Sequence, residues 1–141
     1  MKLYTGFTLV ELLITIVIVG ILSAVAIPMY SDYIKKSGRT DGVSALLNLQ
    51  LAQERYRATH PRYSSSITAA DASGGLAMLA TSEQGFYDLA VVSADANSFV
   101  MSAGPVGGGK QAGDMCVSTN FRIDQSGPVV TTAAEKQCWS R

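Results

Sequence analysis

The segment with the strongest chemical pattern is Gly-rich and lies late in the chain. Residues Gly104–Gln111 read GPVGGGKQ and fit the first seven positions of the phosphate-binding pattern G-x-x-x-x-G-K. In that pattern the loop opens a helix, and a Ser or Thr after the lysine binds magnesium. Here Gln111 takes the Ser/Thr position, and Ala112-Gly113-Asp114 does not open a helix. We therefore predict a flexible Gly-rich hairpin loop and no nucleotide site.

Other catalytic or metal-binding patterns are missing from the sequence. The chain has one histidine, His60, and two cysteines, whereas a structural zinc site needs four Cys or His ligands. No Ser/His/Asp set and no carboxylate pair stands out by spacing, so His60 is predicted to be a solvated helix end. The sequence predicts no enzyme, no metal and no cofactor.

Glu11 is a chemically unusual residue because of its surroundings. It is the only charge in the 21 residues Phe7–Ile27, which span roughly 30 Å as a helix, the thickness of a bilayer core. A cleaved signal peptide is the alternative, but the leader is short and the run is longer than usual. We predict a retained membrane anchor in which Glu11 either lies at the headgroup level or meets a cationic partner.

Charge is distributed very unevenly along the 141 residues. There are 11 basic and 11 acidic side chains, and only Lys2 and Glu11 lie before Asp32. The chain is therefore an apolar arm followed by one small water-compatible domain. The formal net charge of zero gives no electrostatic support for a nucleic-acid partner.

A second helical pattern follows the apolar run. Between Tyr30 and Thr59 an apolar stripe repeats at spacings of three and four, which predicts an amphipathic helix over a soluble core. The stripe comprises Ala45, Leu46, Leu49, Ala52 and Tyr56. His60-Pro61 ends it, so we predict one helix over Phe7–Thr59, with Gly20 and Pro28 as weak points.

The remainder of the chain is predicted to form a small antiparallel sheet. Residues 61–85 are polar and loop-like, with alanines that allow a short helical turn. Short β patterns then follow, joined by turn residues. They cover Phe86–Ser93, Ser98–Ala103, Met115–Ile123 and Pro128–Thr132. The predicted fold class is α+β, a long N-terminal helix packed on about four antiparallel strands.

The N-terminal pattern resembles the class III signal of type IV pilins. Lys2 is followed by Gly6-Phe7-Thr8-Leu9-Val10-Glu11 and by the apolar run, and the match continues to Tyr33. The resemblance implies that prepilin peptidase cuts between Gly6 and Phe7 and that the new amino terminus is N-methylated. It also implies that the helix is kept as membrane anchor and filament core, where Glu11 neutralises the Phe7 amine of a neighbouring subunit.

The two cysteines lie in the segment that the anchor would carry out of the cytoplasm. Two free thiols remain the alternative, but a Cys116–Cys138 disulfide is favoured in an oxidising compartment, and the family has a disulfide-bounded loop near the C terminus. The bond would tie the tail Ala133–Arg141 to the third strand. Trp139 is predicted to be a packing anchor.

The charges that flank the apolar run conflict with this topology. Lys2 precedes it, whereas Lys35, Lys36 and Arg39 follow it, so the positive-inside rule alone would keep the head in the cytoplasm. The cysteines and the leader pattern overrule that rule. The three later cations are expected to be a solvated helix face or headgroup contacts.

The predicted organisation has five parts. Residues 1–6 are a leader peptide, 7–28 a transmembrane and filament-core helix, and 29–60 an amphipathic helix. Residues 61–85 form the αβ-loop, and 86–141 hold the sheet and the disulfide-bounded C-terminal region. The expected location is the inner membrane with a periplasmic head, and then the extracellular pilus.

The predicted function is that of a type IV pilus subunit. The segments at 53–56, 60–63, 112–116 and 138–139 resemble a minor pilin that primes or caps the filament and supports adhesion, twitching motility or DNA uptake. The alternatives are a major pilin, an adhesin or DNA-uptake receptor, and a type II secretion pseudopilin. The expected partners are other pilins and minor pilins, prepilin peptidase and the inner-membrane assembly platform; nucleic acid is an alternative partner only.

Overall fold

The computed structural model describes residues 7–119 and 121–140, so the predicted leader, residues 1–6, lies outside the described residues. The chain divides into two compact units, one that ends at Ile34 and one that begins at Lys35. A helix, α1, covers Leu9–Thr59 and contributes to both units. The prediction of one helix is confirmed, with a start two residues later than expected.

The first unit is the apolar part of α1. Among the described residues, α1 is the one helix that is long and apolar enough to cross a membrane. Both predicted weak points, Gly20 and Pro28, lie within its bounds. Its large apolar side chains are exposed on every side, as expected for a helix whose natural surroundings are lipid or other helices.

The second unit contains a four-stranded antiparallel sheet with the strand order β1-β2-β3-β4. The strands are β1 (Tyr87–Ala94), β2 (Phe99–Pro105), β3 (Arg122–Asp124) and β4 (Gly127–Pro128). Each strand pairs with the next along the chain, so the predicted meander is confirmed. The β1–β2 register shifts between Val91 and Ser93, which leaves Val92 as a bulge residue.

The later strand predictions need correction. The expected third strand, Met115–Ile123, is strand only at its end, because β3 begins at Arg122. The expected fourth strand, Pro128–Thr132, is reduced to the two residues of β4. No element was predicted for the tail, and residues Ala133–Trp139 form a short helix, α2.

A capping box starts α2, and the sequence carries its signal. The Thr132 hydroxyl accepts from the Glu135 N–H at 3.2 Å, and the Glu135 carboxylate accepts from the Thr132 N–H at 2.7 Å. Glu135 also accepts from the Thr131 hydroxyl at 2.7 Å and from its N–H at 2.6 Å. These hydrogen bonds, with that of the Thr131 hydroxyl the largest contribution, lower the pKa of Glu135 to about 2.

The core of the second unit lies between α1 and the sheet. Of the predicted helix stripe, Leu46 and Leu49 are fully buried and Tyr56 is nearly so. Gln53 is also fully buried, which the apolar pattern did not predict. Its amide group donates to the Ser64 carbonyl at 2.8 Å and accepts from the Ser64 N–H at 2.9 Å. This pair of bonds satisfies a buried amide and holds the following loop against the helix.

Candidate functional site

The first candidate site is the apolar surface of α1 in the first unit. Phe7 is 88% exposed, and the leucines, isoleucines and valines that follow are about half exposed or more. A contiguous apolar surface of this size is a binding surface for lipid or for other apolar helices. Phe7 lies just before α1, and Gly6, the other residue at the predicted cleavage point, is outside the described residues.

Glu11 takes part in a local structure that the sequence analysis missed. The Thr8 hydroxyl accepts from the Glu11 N–H at 3.1 Å, and the Glu11 carboxylate faces the Thr8 N–H and hydroxyl, each at 3.4 Å. Thr8-Leu9-Val10-Glu11 therefore has the pattern and geometry of a capping box at the start of α1. The carboxylate at this helix end therefore has a local capping role, and its role in assembly stays a prediction.

The predicted disulfide is present. Cys116 and Cys138 are bonded, with their Cα atoms 5.4 Å apart, and they are 22 positions apart in the sequence. Both are buried, and neighbouring Trp139 packs edge-on against Phe121 with ring centroids 5.1 Å apart. The bond joins α2 to the segment before β3, and not to a third strand as predicted, since Cys116 lies outside β3.

Arg39 is not the solvated helix residue that was expected. Its Nε donates to both carboxylate oxygens of Asp114, at 3.2 and 3.0 Å, and its Nη2 donates to Oδ1 at 2.6 Å. The Tyr87 hydroxyl donates to Oδ2 of the same carboxylate at 3.0 Å. Burial of Asp114 opposes its ionisation, but the bonds from Arg39 and Tyr87 outweigh this and lower its pKa. Burial, and then the Asp114 charge, raise the pKa of Tyr87.

The Gly-rich segment differs from the predicted flexible hairpin. The connection between β2 and β3 is long, and Gln111 within it is 1% exposed. The Gln111 amide packs directly on Gly38 of α1, where any added Cβ would collide with it. With Gln111 and Asp114 both held against α1, the segment is fixed to the helix at two points.

Two lysines, Lys35 and Lys110, lie at this segment, and Lys36 follows Lys35 on α1. Lys35 and Lys36 lie on α1, and the Lys35 ammonium is 4.0 Å from the position that a Cβ would take at Gly113. Lys110 lies in the segment itself, with its ammonium 5.7 Å from the centroid of the Phe86 ring. Within the described part of the chain, none of these three lysines forms an ion pair, whereas Arg39 is neutralised by Asp114. The "lysine face", defined as Lys35, Lys36 and Lys110, therefore offers three ammonium groups that form no ion pair among the described residues.

His60 lies at the end of α1, as predicted, but it is half-buried. Its ring stacks on Tyr56 with centroids 3.8 Å apart and an angle of 1° between the planes. Its Nδ1 lies 3.0 Å from the Tyr56 carbonyl and 3.0 Å from the Thr59 hydroxyl. Among the described residues, no group of three or more Cys, His, Asp or Glu side chains is placed to hold a metal ion.

Comparison with known proteins identifies the family. Residues 1–27 match the prokaryotic N-terminal methylation motif. Residues 28–120, more than half of the chain, match the family described as "Type IV minor pilin ComP, DNA uptake sequence receptor". Together with the helix-on-sheet fold and the apolar N-terminal surface, these matches show that the chain belongs to the type IV pilin family.

Individual relatives agree with this result. A fimbrial protein of Dichelobacter nodosus is 34% identical over 107 residues, which cover 76% of this chain and 64% of that protein. A type IV major fimbrial protein FimA of the same organism is 34% identical over 109 residues, covering 77% of this chain and 65% of the relative. A fimbrial protein of Pseudomonas aeruginosa is 48% identical over 54 residues, or 38% of this chain and 35% of the relative. The matched region thus spans less than two thirds of each of these relatives.

Proposed function

We propose that this chain is a structural subunit of a type IV pilus that assembles with other pilins through the apolar part of α1. The observation that supports this is the apolar surface around α1 with Glu11 in its first turn. Such a helix is stable in lipid before assembly, and a packed bundle of similar helices offers an equivalent apolar environment. The head would lie in the periplasm before assembly and at the filament surface afterwards.

We also propose that the subunit is a minor pilin and that it acts as a receptor for DNA. The match of residues 28–120 to the family described as a DNA uptake sequence receptor supports this role over that of a major pilin. The relative named as a type IV major fimbrial protein favours the alternative, and the match spans 65% of that relative's length. The formal net charge of zero gives no support for DNA binding by the chain as a whole. Binding to phosphates depends instead on local clusters of cations.

The lysine face is the surface that best fits a phosphate backbone. Its three ammonium groups have no carboxylate partner within the described residues, and the Gly-rich segment beside them is held in place by Gln111 and Asp114. Arg39, by contrast, is already bound in a buried pair and contributes little outward charge. A lysine ammonium attracts any phosphate and does not distinguish one base from another. This face would therefore position the DNA backbone, and recognition of the DNA sequence would need other residues.

A DNA-binding measurement tests the lysine face. We expect the variant with Lys35, Lys36 and Lys110 all changed to Gln to bind duplex DNA more weakly, whatever the DNA sequence. Because each lost phosphate contact lowers the salt dependence by about 0.9, the slope of log K against log[salt] should become shallower by roughly 2 to 3. The measurement is fluorescence anisotropy with the full chain in detergent at several salt concentrations.

The matched control is Arg55→Gln, which removes an exposed cation from the far end of the helical part of the second unit. It should leave the salt slope of the wild type nearly unchanged. An equal loss of DNA affinity in both variants would show that binding depends only on the overall charge of the protein. Unchanged DNA affinity in the triple variant would rule out the lysine face as the binding surface.

Processing gives a further prediction. We expect the mature chain to begin at Phe7 with one added methyl group, because the residues around the Gly6–Phe7 bond resemble the prepilin peptidase site. Intact-mass analysis of the protein from native membranes should show loss of Met1–Gly6. Gly6→Val should block this step by crowding the cleaved bond. A mass that corresponds to cleavage near Ala24 or Ala26 would instead identify a discarded signal peptide.

A further inference from the structure

A buried carboxylate ties the Gly-rich segment to the rest of the head. Asp114 is 5% exposed and accepts three N–H···O bonds from Arg39 of α1. The hydroxyl of Tyr87, the first residue of β1, donates to the same carboxylate. Charged groups joined by several hydrogen bonds have a defined geometry. Asp114 therefore fixes its end of the segment to the helix and to the sheet at once.

Gln111 is not expected to hold the segment in this place by itself. It is 1% exposed, and neither its amide nitrogen nor its amide oxygen has a hydrogen-bond partner among the described residues. Burial of an unpartnered amide opposes the docking of the segment on α1. The contact of Gln111 with Gly38 therefore depends on the bonds that Asp114 makes three positions later.

Main-chain hydrogen bonds connect Asp114 to Lys110 through two overlapping turns. The Asp114 N–H donates to the Gln111 carbonyl at 2.9 Å, and the Ala112 N–H donates to the Gly109 carbonyl at 2.9 Å. Lys110 lies between Gly109 and Gln111. The position of Lys110 is therefore set by the docking of this segment, and Lys110 would move with the segment if Asp114 lost its bonds.

We infer that Asp114 is a positioning residue for the binding of DNA phosphates by the lysine face, and that it acts through Lys110. The inference rests on the proposed DNA-binding function and adds an acidic residue to that site. Asp114 contacts no phosphate itself, since its carboxylate is buried against Arg39 and Tyr87. Its bonds keep Lys110 in the segment that passes the Lys35 ammonium, which allows both ammonium groups to contact one DNA backbone.

The charge of Asp114 and its position predict opposite results for Asp114→Asn. By charge alone, removal of a carboxylate beside the lysine face should tighten the binding of duplex DNA. If Asp114 positions Lys110, the same substitution should weaken binding, because about one phosphate contact is lost. The slope of log K against log[salt] should then become shallower by about 0.9, and DNA affinity in 0.1 M salt should fall by roughly fivefold to tenfold.

A double-mutant cycle with Lys110→Gln tests whether Asp114 acts through this lysine. In the Lys110→Gln background, Asp114→Asn should cause no further loss of DNA affinity, because the side chain that it positions is already absent. A general folding defect would lower the affinity in both backgrounds. The measurement is fluorescence anisotropy of labelled duplex DNA with the full chain in detergent, at several salt concentrations.

Asp71→Asn is the matched control, because it removes an exposed carboxylate that lies beside Arg55 in a surface crevice near the end of α1. It should leave DNA affinity unchanged or slightly higher.

Arg39→Lys is the conservative variant. It keeps every charge but cannot donate to the Asp114 carboxylate from two nitrogens, so it should weaken DNA binding in the same direction as Asp114→Asn and by a smaller factor. The emission of Trp139 reports whether each variant is folded. If Asp114→Asn does not fold, Arg39→Lys takes its place in the cycle.

The outcomes separate this inference from the proposed function. If the wild type and the triple lysine variant bind duplex DNA equally, the lysine face is not the DNA-binding surface, and the role of Asp114 is overturned with it. If the triple variant is weakened but Asp114→Asn binds as tightly as the wild type or more tightly, the positioning role alone is overturned. An equal loss of affinity from Asp114→Asn with and without Lys110 would also overturn it, since Asp114 would not act through that lysine.

Discussion

Replacing both Cys116 and Cys138 with Ser should lower the free energy of unfolding of the head by about 3 kcal/mol, because the open chain regains the entropy lost by closing a loop of this size. For a domain of this size we expect a fall in melting temperature of about 10–20 °C. The effect should be large because Cys138 anchors α2, a helix too short to be stable by itself.

Trp139 offers a direct measurement, since it is the only tryptophan and packs on Phe121 in this region. Its fluorescence, followed through thermal unfolding of the full chain in detergent, should show the shift. Wild-type protein under reducing conditions is the matched control and should melt close to the double Ser variant. If the reduced and oxidised proteins melt together, α2 is held by its packing and capping box, and the disulfide adds little.

The sequence was sufficient for the parts of the fold that follow a simple period. The long apolar run, the stripe that contains Leu46, Leu49 and Tyr56, and the first two strands each repeat over enough residues to be recognised. The short elements were missed or misplaced for a common reason. In the segment around Cys116 the β-like composition reflects burial beside the disulfide, not pairing with a strand.

The polar contacts of the head could not be predicted because their partners are far apart in the sequence. Arg39 and Asp114 are 75 positions apart. No local sequence pattern around either residue predicts that the two form a pair. The capping boxes at Thr8 and Thr132 were within reach, since Ser/Thr-x-x-Glu is a local pattern.

Glu11→Gln should reduce incorporation into sheared pili strongly while leaving the amount in the membrane unchanged or increased. The amide removes the charge that would neutralise the Phe7 amine of a neighbouring subunit, and loss of one partner from a buried pair costs about 3–5 kcal/mol. At equilibrium this corresponds to about a hundredfold weaker incorporation or more. Insertion should not suffer, because a neutral side chain enters the membrane more easily than a carboxylate.

The capping box at the start of α1 makes a sharper comparison possible. Gln also caps from this position, so Glu11→Gln removes the charge and keeps the local bonds with Thr8. Thr8→Ala does the opposite: it keeps the carboxylate and loses the cap, at a cost of about 1 kcal/mol in helix stability. If pairing with the amine drives assembly, Thr8→Ala should enter pili nearly as well as the wild type, and Glu11→Gln should not. The reverse order would mean that Glu11 acts only as the local cap of its own helix, and the pairing mechanism would be wrong for this subunit.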